Sequence, residues 1–469
     1  MWGSGDITKG VIWKQLLAFF FPLWCGTFFQ QLYNTVDTVV VGHFSGKVAL
    51  AAVGSTGTLV NLTVGIFVGL SSGAVVVIAQ KYGAHRDKEV STGVHTALLL
   101  AVIIGAVFMA VGFALTPWAL RVMGTTADAL PGAIVYLRIY FLGMIPNVVY
   151  NMGTGVLRAV GDARRPLVFL IAASMCNIVL DLVLVIGFDL GVVGVAVATV
   201  CSQLLSAVLV LLSLGHMRDK PVQFFPGRLR LSPGPAKAML RIGVPSALQS
   251  MMYSASNIAI QAAINSFGTD AVAAWTAYGK LDVVYWMTMT ALSQSITTFA
   301  SQNYGAGKPE RLRRGTWVCT GISAVLTAVI GLVMYTCAEP FMRIFTPDAD
   351  VMALGVDMLR FVAPLYFTYI FVEILPGAIR GAGRSLEPTL ITVIGICGMR
   401  LLWLFFVVPA HHTIRMVQMS YPITWILTSL SMLLFYRFGH WLEYHPWSLP
   451  ENDAPNKAAP AREDAAISQ

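Results

Sequence analysis

The sequence predicts an all-α integral membrane protein, with twelve transmembrane helices in two six-helix bundles related by pseudo-two-fold symmetry along the membrane normal. Three observations predict it. Of 469 residues, 56% are hydrophobic and only 12% are charged, about half the charged share of a soluble domain, so lipid must solvate most of the side chains. Apolar runs of about twenty residues recur along the chain, each long enough to cross a bilayer core of about 30 Å. A fixed offset then overlays one half of the chain on the other, placing Gln80, Tyr82, Gly83 and Ala84 on Gln302, Tyr304, Gly305 and Ala306.

The runs fall at 15–42, 52–79, 93–116, 131–157, 166–188 and 191–214, then at 240–266, 273–299, 316–339, 352–379, 389–409 and 413–437; the eighth and eleventh carry charges. The first follows Lys9 and Lys14, is too long for a signal peptide and lacks a clear small-x-small cleavage site, so it reads as a retained anchor. Basic residues punctuate the rest in order: Lys81, Arg86 and Lys88 between spans 2 and 3, Arg158, Arg164 and Arg165 around the 4–5 turn, six in or beside 215–241, four in 302–314, then Arg380 and Arg384. Of 31 Lys and Arg residues, 23 lie on one side of this model, six on the other, and Lys280 and Arg400 lie within spans. Positive charge marks the cytoplasmic side, so both termini are expected in the cytoplasm, and the net charge of +8 is a topology signal that points away from nucleic acid.

The repeat also pairs Arg138 with Arg360, Gly155 with Gly377, Arg158 with Arg380, Gly161 with Gly383 and Pro166 with Pro388. One gap upstream, Pro22 meets Pro245 and Asn34 meets Asn257. Six spans return the chain to its starting side, so the repeats share one orientation. The expected organisation is an amino-terminal lobe at 1–214, a cytoplasmic linker at 215–239 rich in proline and cationic residues, a carboxy-terminal lobe at 240–438 and a disordered cytoplasmic tail at 439–469. Two such lobes meeting at the bilayer midplane suggest an alternating-access carrier.

Enzyme chemistry finds no support. There is no H-E-x-x-H, no paired Cys/His spacing and no nucleophile elbow, and no cofactor is expected. Cys25, Cys176, Cys201, Cys319, Cys337 and Cys397 lie singly in apolar segments and read as small hydrophobes. "YGAGKPE" (304–310) superficially resembles a phosphate loop, but "YGAHRDKE" (82–89) in the other half marks it as a repeated turn.

Ionisable residues inside spans carry the functional signal, because a charge at the bilayer centre costs about 3 kcal/mol even on lenient scales. The clear cases are Asp37 in span 1, Asp181 in span 5 and Glu373 in span 10. Arg138, Arg360 and Asp357 lie near outer span ends and can snorkel, while Lys280, Asp282 and Arg400 are expected in structural pairing or at an interface. From the helical rise, Asp37 lies roughly 8 Å, Asp181 roughly 10 Å and Thr199 roughly 12 Å from the outer ends of their spans. Asn34 and Asn177 sit one turn deeper, on nearly the same faces as the two aspartates. The second half does not repeat this set: Ile260 stands opposite Asp37 and Trp403 opposite Asp181. Desolvation and a nearby like charge favour a protonated carboxyl, which suits a proton carrier; oxygens of Asp, Asn and Thr also suit Na+. The sequence leaves the ion open.

At these residues the chain resembles the multidrug and toxic compound extrusion (MATE) family, and within it the bacterial branch related to the DNA-damage-inducible transporters. The resemblance is carried by "FPLWCGTFFQQLYNTVDTVVVG" (21–42), "QKYGA" (80–84), "GVLRAVGDARRP" (155–166), "NIVLDLVLV" (177–185) and "GVVGVAVATVCSQ" (191–203), with "QNYGAGK" (302–308) and "GAIRGAGRSLEP" (377–388) in the second half. It implies a V-shaped pair of six-helix bundles in a bacterial inner membrane that exports cationic or amphipathic organic compounds in exchange for Na+ or H+. It places the coupling site at Asp37, Asn177, Asp181 and Thr199, which would also hold Na+. Asn34 and Glu373 are additional candidates as polar residues within spans, Glu373 having no clear match to the helix 10 acid of other branches, and Pro22, which lacks a backbone donor in mid-helix, is the expected hinge of helix 1. The acidic residue that other branches carry in helix 7 is absent from 246–261. The partners implied are small organic cations or amphipathic drugs and membrane lipid, with a monomer as the working unit.

Met251, Met252, Tyr253 and "YWMTM" (285–289) offer polarizable faces to flat cations, although helix packing alone accounts for such residues. Two alternatives remain. A lipid-linked or polysaccharide flippase of the same wider superfamily is expected to carry more cationic residues in its cavity than these spans supply. An intramembrane enzyme would use Asp37 and Asp181 as an acid/base pair.

Overall fold

The computed structural model describes residues 7–217 and 221–442, and among these every regular element is helical. The first lobe contains α1 (Ile12–Val40), α2 (Gly46–Gly83), α3 (Asp87–Val122), α4 (Leu130–Leu142 continued by Met144–Ala159), α5 (Arg164–Gly187) and α6 (Gly191–Gly215). The second contains α7 (Pro233–Asn265), α8 (Thr269–Gly305), α9 (Pro309–Thr336), α10 (Ala349–Gly381), α11 (Leu386–Val407) and α12 (Ile414–Phe438). These twelve rods correspond one to one with the twelve apolar runs. Length and apolarity single out eight helical stretches, nine with the bent α4 pair, and the first of them spans both α1 and α2. Only α7 and α8 are too polar to qualify, because both turn polar side chains to a cavity between the lobes.

The repeat is written into the backbone as well as the sequence. Left-handed φ angles occur at Gly46 and Gly268 (81° and 94°), His85 and Gly307 (56° and 68°), and Gly161 and Gly383 (92° and 91°), three pairs with one common separation. Gly307 adopts this conformation freely, whereas His85 does so against its own Cβ. The α4 bend of 49° at Gly143 has its counterpart in a 3-10 stretch, Ala363–Tyr369, within α10.

Helix α7 starts at Pro233, earlier than the expected 240. Proline suits a first helical turn because its missing N–H would be unpaired there anyway. The preceding linker is packed rather than free. Val222 is buried, the Phe225 N–H donates to His95 Nε2 at 3.1 Å, and the Thr96 hydroxyl donates to the Arg230 carbonyl at 3.3 Å. Most of the expected disordered tail, from 443 onward, lies outside the described residues, while Trp441 is buried beside Tyr436.

The lobes meet along α2 and α7 at the end of the molecule that carries residues 7–11. A Cβ at Gly69 would lie 2.5 Å from the Ala247 backbone nitrogen, and one at Gly243 would lie 2.7 Å from the Leu70 carbonyl oxygen. Closest to that end, a Cβ on Gly83 would collide with the Gln302 carbonyl, and one on Gly305 with the Gln80 carbonyl. Gln80 Nε2 donates across the interface to the Gly381 carbonyl at 2.9 Å, and Gln302 Nε2 donates back to the Ala159 carbonyl at 2.7 Å. These two bonds are images of each other under the repeat. The leader adds to the seal, since Ile7 is buried and its N–H donates to Gln302 Oε1 at 3.2 Å. Helix α1 crosses between lobes, with Leu16, Phe19 and Phe20 in the second lobe's core and its far half packed on α5.

Candidate functional site

In the first lobe a cavity of ≈ 340 Å³ is walled by α1, α2, α4, α5 and α6, with Gln294 of α8 reaching it from the second lobe. Pro22, Asn34 and Asp37 reach it from α1, Asn177 from α5 and Thr199 from α6. Spacings of three and four residues put Asn34 with Asp37, and Asn177 with Asp181, on shared helix faces. Asp37 and Asn177 are buried in its wall and Asp181 is fully buried beside it. The two carboxyl groups are within interaction range of each other. Asp37 Oδ1, both Asp181 oxygens and both amide atoms of Asn177 have no hydrogen-bond partner among the described residues. The Thr199 hydroxyl donates to the Val195 carbonyl at 2.9 Å, which leaves its oxygen lone pairs free to accept or ligate.

Two adjacent, buried carboxylates with little besides each other for partners are an expensive arrangement. A proton shared between them, or a monovalent cation among their oxygens, Asn177 Oδ1 and Thr199 Oγ1, relieves both repulsion and desolvation. The donor set fits either ion. No group of three or more His, Cys, Asp and Glu side chains suited to a metal occurs among the described residues. Immediately beyond the aspartates, both supporting helices widen into π-helical turns, Val41–Ser45 after α1 and Leu182–Gly187 within α5. Such turns are frequent at functional sites, and α11 carries two of its own, Val393–Gly398 and Trp403–Val407.

Sequence reasoning missed Tyr33 and Tyr136. Both line this cavity and lie within electrostatic reach of Asp37, and Tyr136 also approaches Thr199 and Asp181. Being neutral, they pass for core residues in a hydropathy profile. Only the i, i+4 spacing of Tyr33 and Asp37 hinted at the first.

A second cavity, of ≈ 590 Å³, lies between the lobes and is lined mainly by the second. Its wall is aromatic: Trp286 meets Tyr369 with ring centroids 4.8 Å apart, and Tyr369 meets Trp425 at 5.4 Å. Several expectations change here. Glu373 does not join the aspartates of the first lobe; it sits in this cavity, where its Oε2 accepts from the Tyr369 hydroxyl at 3.0 Å. Asp282 and Arg400 form no ion pair with each other and do not sit at an interface. Both are buried and line the cavity, Asp282 accepting from Trp286 Nε1 at 2.5 Å and from the Tyr366 hydroxyl, and Arg400 stacking over Tyr421 at 4.4 Å. Lys280 is exposed. From Met251–Tyr253 and 285–289, only Tyr253 and Trp286 reach the cavity, while Tyr285, Met287 and Met289 are core. The cavity is also not poor in cationic residues, since Arg158, Arg380 and Arg400 all line it. That removes the stated objection to a flippase.

The MatE family model matches residues 22–183 and 245–405, so each match begins at one proline of the Pro22/Pro245 pair. Over 441 residues the chain is 28% identical to a Bacillus subtilis (strain 168) protein described as probable multidrug resistance protein YoeA, covering 92% of this chain and 95% of that one. A solved structure described as the outward-facing conformation of a multidrug resistance MATE family transporter of the MOP superfamily is similar at TM-score 0.83 and 25% identity, over 92% of this chain and 96% of that one. Another, described as MATE in the bent conformation, has TM-score 0.86 and 24% identity over 93% and 97%, and speaks for the fold alone. The family is one of transporters, not enzymes. Two matches in register with the internal repeat, carried on twelve long helices, place this chain in the MatE family of membrane transporters.

Proposed function

We propose that this protein is a secondary active antiporter that exports cationic or amphipathic organic compounds in exchange for H+ or Na+ by alternating access. The observation that carries the proposal is the buried Asp37–Asp181 pair on a cavity that Pro22 also lines. Binding of a proton or Na+ there removes the repulsion between the carboxylates and lets α1 bend at Pro22, where a backbone hydrogen bond is already missing. Bending draws α1 across the cavity, so ion and cargo compete. The sealed end is taken as the cytoplasmic face of a bacterial inner membrane, following the basic loops gathered there. In that reading both termini are cytoplasmic, the molecule is a monomer, and the state described is open outward.

Full-length protein in proteoliposomes provides the test. Ethidium is expected to move against an imposed inward pH or Na+ gradient, and to stay put when neither is applied. Movement under one gradient alone identifies the ion; ethidium that moves under neither rejects antiport. The Pro22→Ala chain restores a hydrogen bond and removes a break costing about 3 kcal/mol in a helix interior. It is expected to unfold at or above the wild-type temperature while exporting about tenfold more slowly, an effect of the size that 1.4 kcal/mol produces.

The three guanidiniums favour one second reading, a flippase for a lipid-linked or polysaccharide anion. The aromatic wall and the inter-ring contacts weigh towards a cargo with flat rings.

A further inference from the structure

We propose that the cavity between the lobes takes aromatic compounds bearing an anionic group, with Arg158 and Arg380 gripping the anion at its floor. The proposal relies on the export reading only for treating this cavity as the cargo site.

Arg158 and Arg380 are images of each other under the repeat, and each projects into the cavity from the end of its helix, α4 or α10. Arg158 Nη1 donates to Gln294 Oε1, and its buried Nε has no partner among the described residues. Arg380 Nη1 reaches Ser246 Oγ only at 3.5 Å. Among the described residues neither forms an ion pair, nor does Arg400. The two acids of the same cavity are in the opposite situation. Trp286 and Tyr366 both donate to Asp282, and Tyr369 donates to Glu373. Ring donors thus engage both carboxylates, and although Glu373 lies within electrostatic reach of Arg380, the guanidiniums, each a planar fork of five N–H donors, keep donors to spare. A carboxylate, sulfonate or phosphate answers that fork with two parallel hydrogen bonds.

The rings stand at a useful height above this floor. Asp282 and Gln294 lie on α8 twelve positions apart, roughly 18 Å along the helix. Between these levels Trp286, Tyr369 and Trp425 form a continuous aromatic wall. A volume of ≈ 590 Å³ suits a molecule of two to four fused rings.

The experiment compares two probes with one ring system and opposite charge, 1-pyrenesulfonate and 1-pyrenemethylammonium. Binding to the purified full chain is followed by fluorescence without any ion gradient, so the outcome is independent of whether antiport is correct. Saturable pyrenesulfonate binding is expected. Arg158→Gln and Arg380→Gln are each expected to weaken it about tenfold or more, the scale of a hydrogen bond to a charged group. The ammonium probe should shift by less than about twofold, and Arg380→Lys should recover part of the anion affinity. Equal losses for both probes would mean a collapsed cavity and would overturn the proposal, as would unchanged sulfonate affinity in both glutamine variants or an absence of saturable binding. Farnesyl pyrophosphate, an anion without a ring, should displace the probe less well than 1-naphthalenesulfonate. The reverse order would overturn the aromatic half of the proposal in favour of a lipid-linked anion.

Discussion

An Asp37→Asn chain is expected to insert, fold and bind cargo, yet export at least about 100-fold more slowly than wild type, as removal of an interaction essential to the transition requires. Asparagine keeps the size and most of the shape of the carboxyl group but never ionises. It holds the Asp37–Asp181 pair permanently one charge short, the arrangement that binding of one proton produces only transiently. The variant should also unfold at the wild-type temperature or higher, because an uncompensated buried charge that costs several kcal/mol is gone. This combination separates coupling from scaffolding. A carboxylate that merely tied α1 to α5 would lower the unfolding temperature when replaced and leave residual transport roughly in proportion to folded protein. Asp181→Asn should behave alike, and the double variant should be no slower than either single one, since residues acting as one unit are not additive. Ethidium export above a third of the wild-type rate by folded Asp37→Asn protein would falsify the coupling role.

The second large effect is expected at the sealed end. Gly305→Val and Gly83→Val place side-chain carbon where a backbone carbonyl of the other lobe already sits. A carbonyl cannot rotate away as a side chain can, so the lobes must separate. Overpacking of this kind costs about 1–3 kcal/mol, which shifts the closed population roughly 5- to 150-fold. Transport should fall by a comparable factor. Gly321→Val is the control, because a Cβ there meets nothing within 4 Å, and it should leave transport unchanged. Equal activity of Gly305→Val and the control would show that this end is not a gate.

The fold was legible because both of its signals are cumulative. Twelve apolar runs and a two-fold repeat each draw on dozens of residues, so a few charges in α8 and α11 do not hide them. Among the candidate site residues, Asp37, Asn177, Asp181 and Thr199 were legible for a different reason: polar groups at matching depth stand out against lipid. Arg158 and Arg380 were not. They fall at the ends of apolar runs and were counted with the basic loops, because hydropathy averages a helix against lipid and cannot see a wet cavity between two lobes. The same average hid Tyr33 and Tyr136 as ordinary core, and gave Glu373 a span but no partner. The start of α7 was misplaced because Pro233 reads as linker until its position in a first helical turn is seen.

The reciprocal glutamine bonds have a consequence for how the two halves have diverged. Gln80 and Gln302 each hold a carbonyl belonging to the other copy, so at the axis each repeat is the other's environment. A change on one side there is felt at once by its twin, and drift is tolerable only if both copies move together. Away from the axis no such mirror exists, and one copy was free to gain or lose Asp37 and Asp181 while the other carries Ile260 and Trp403. In a doubled chain of this kind, what stays duplicated marks where the halves meet, and what has become single marks where the work was divided.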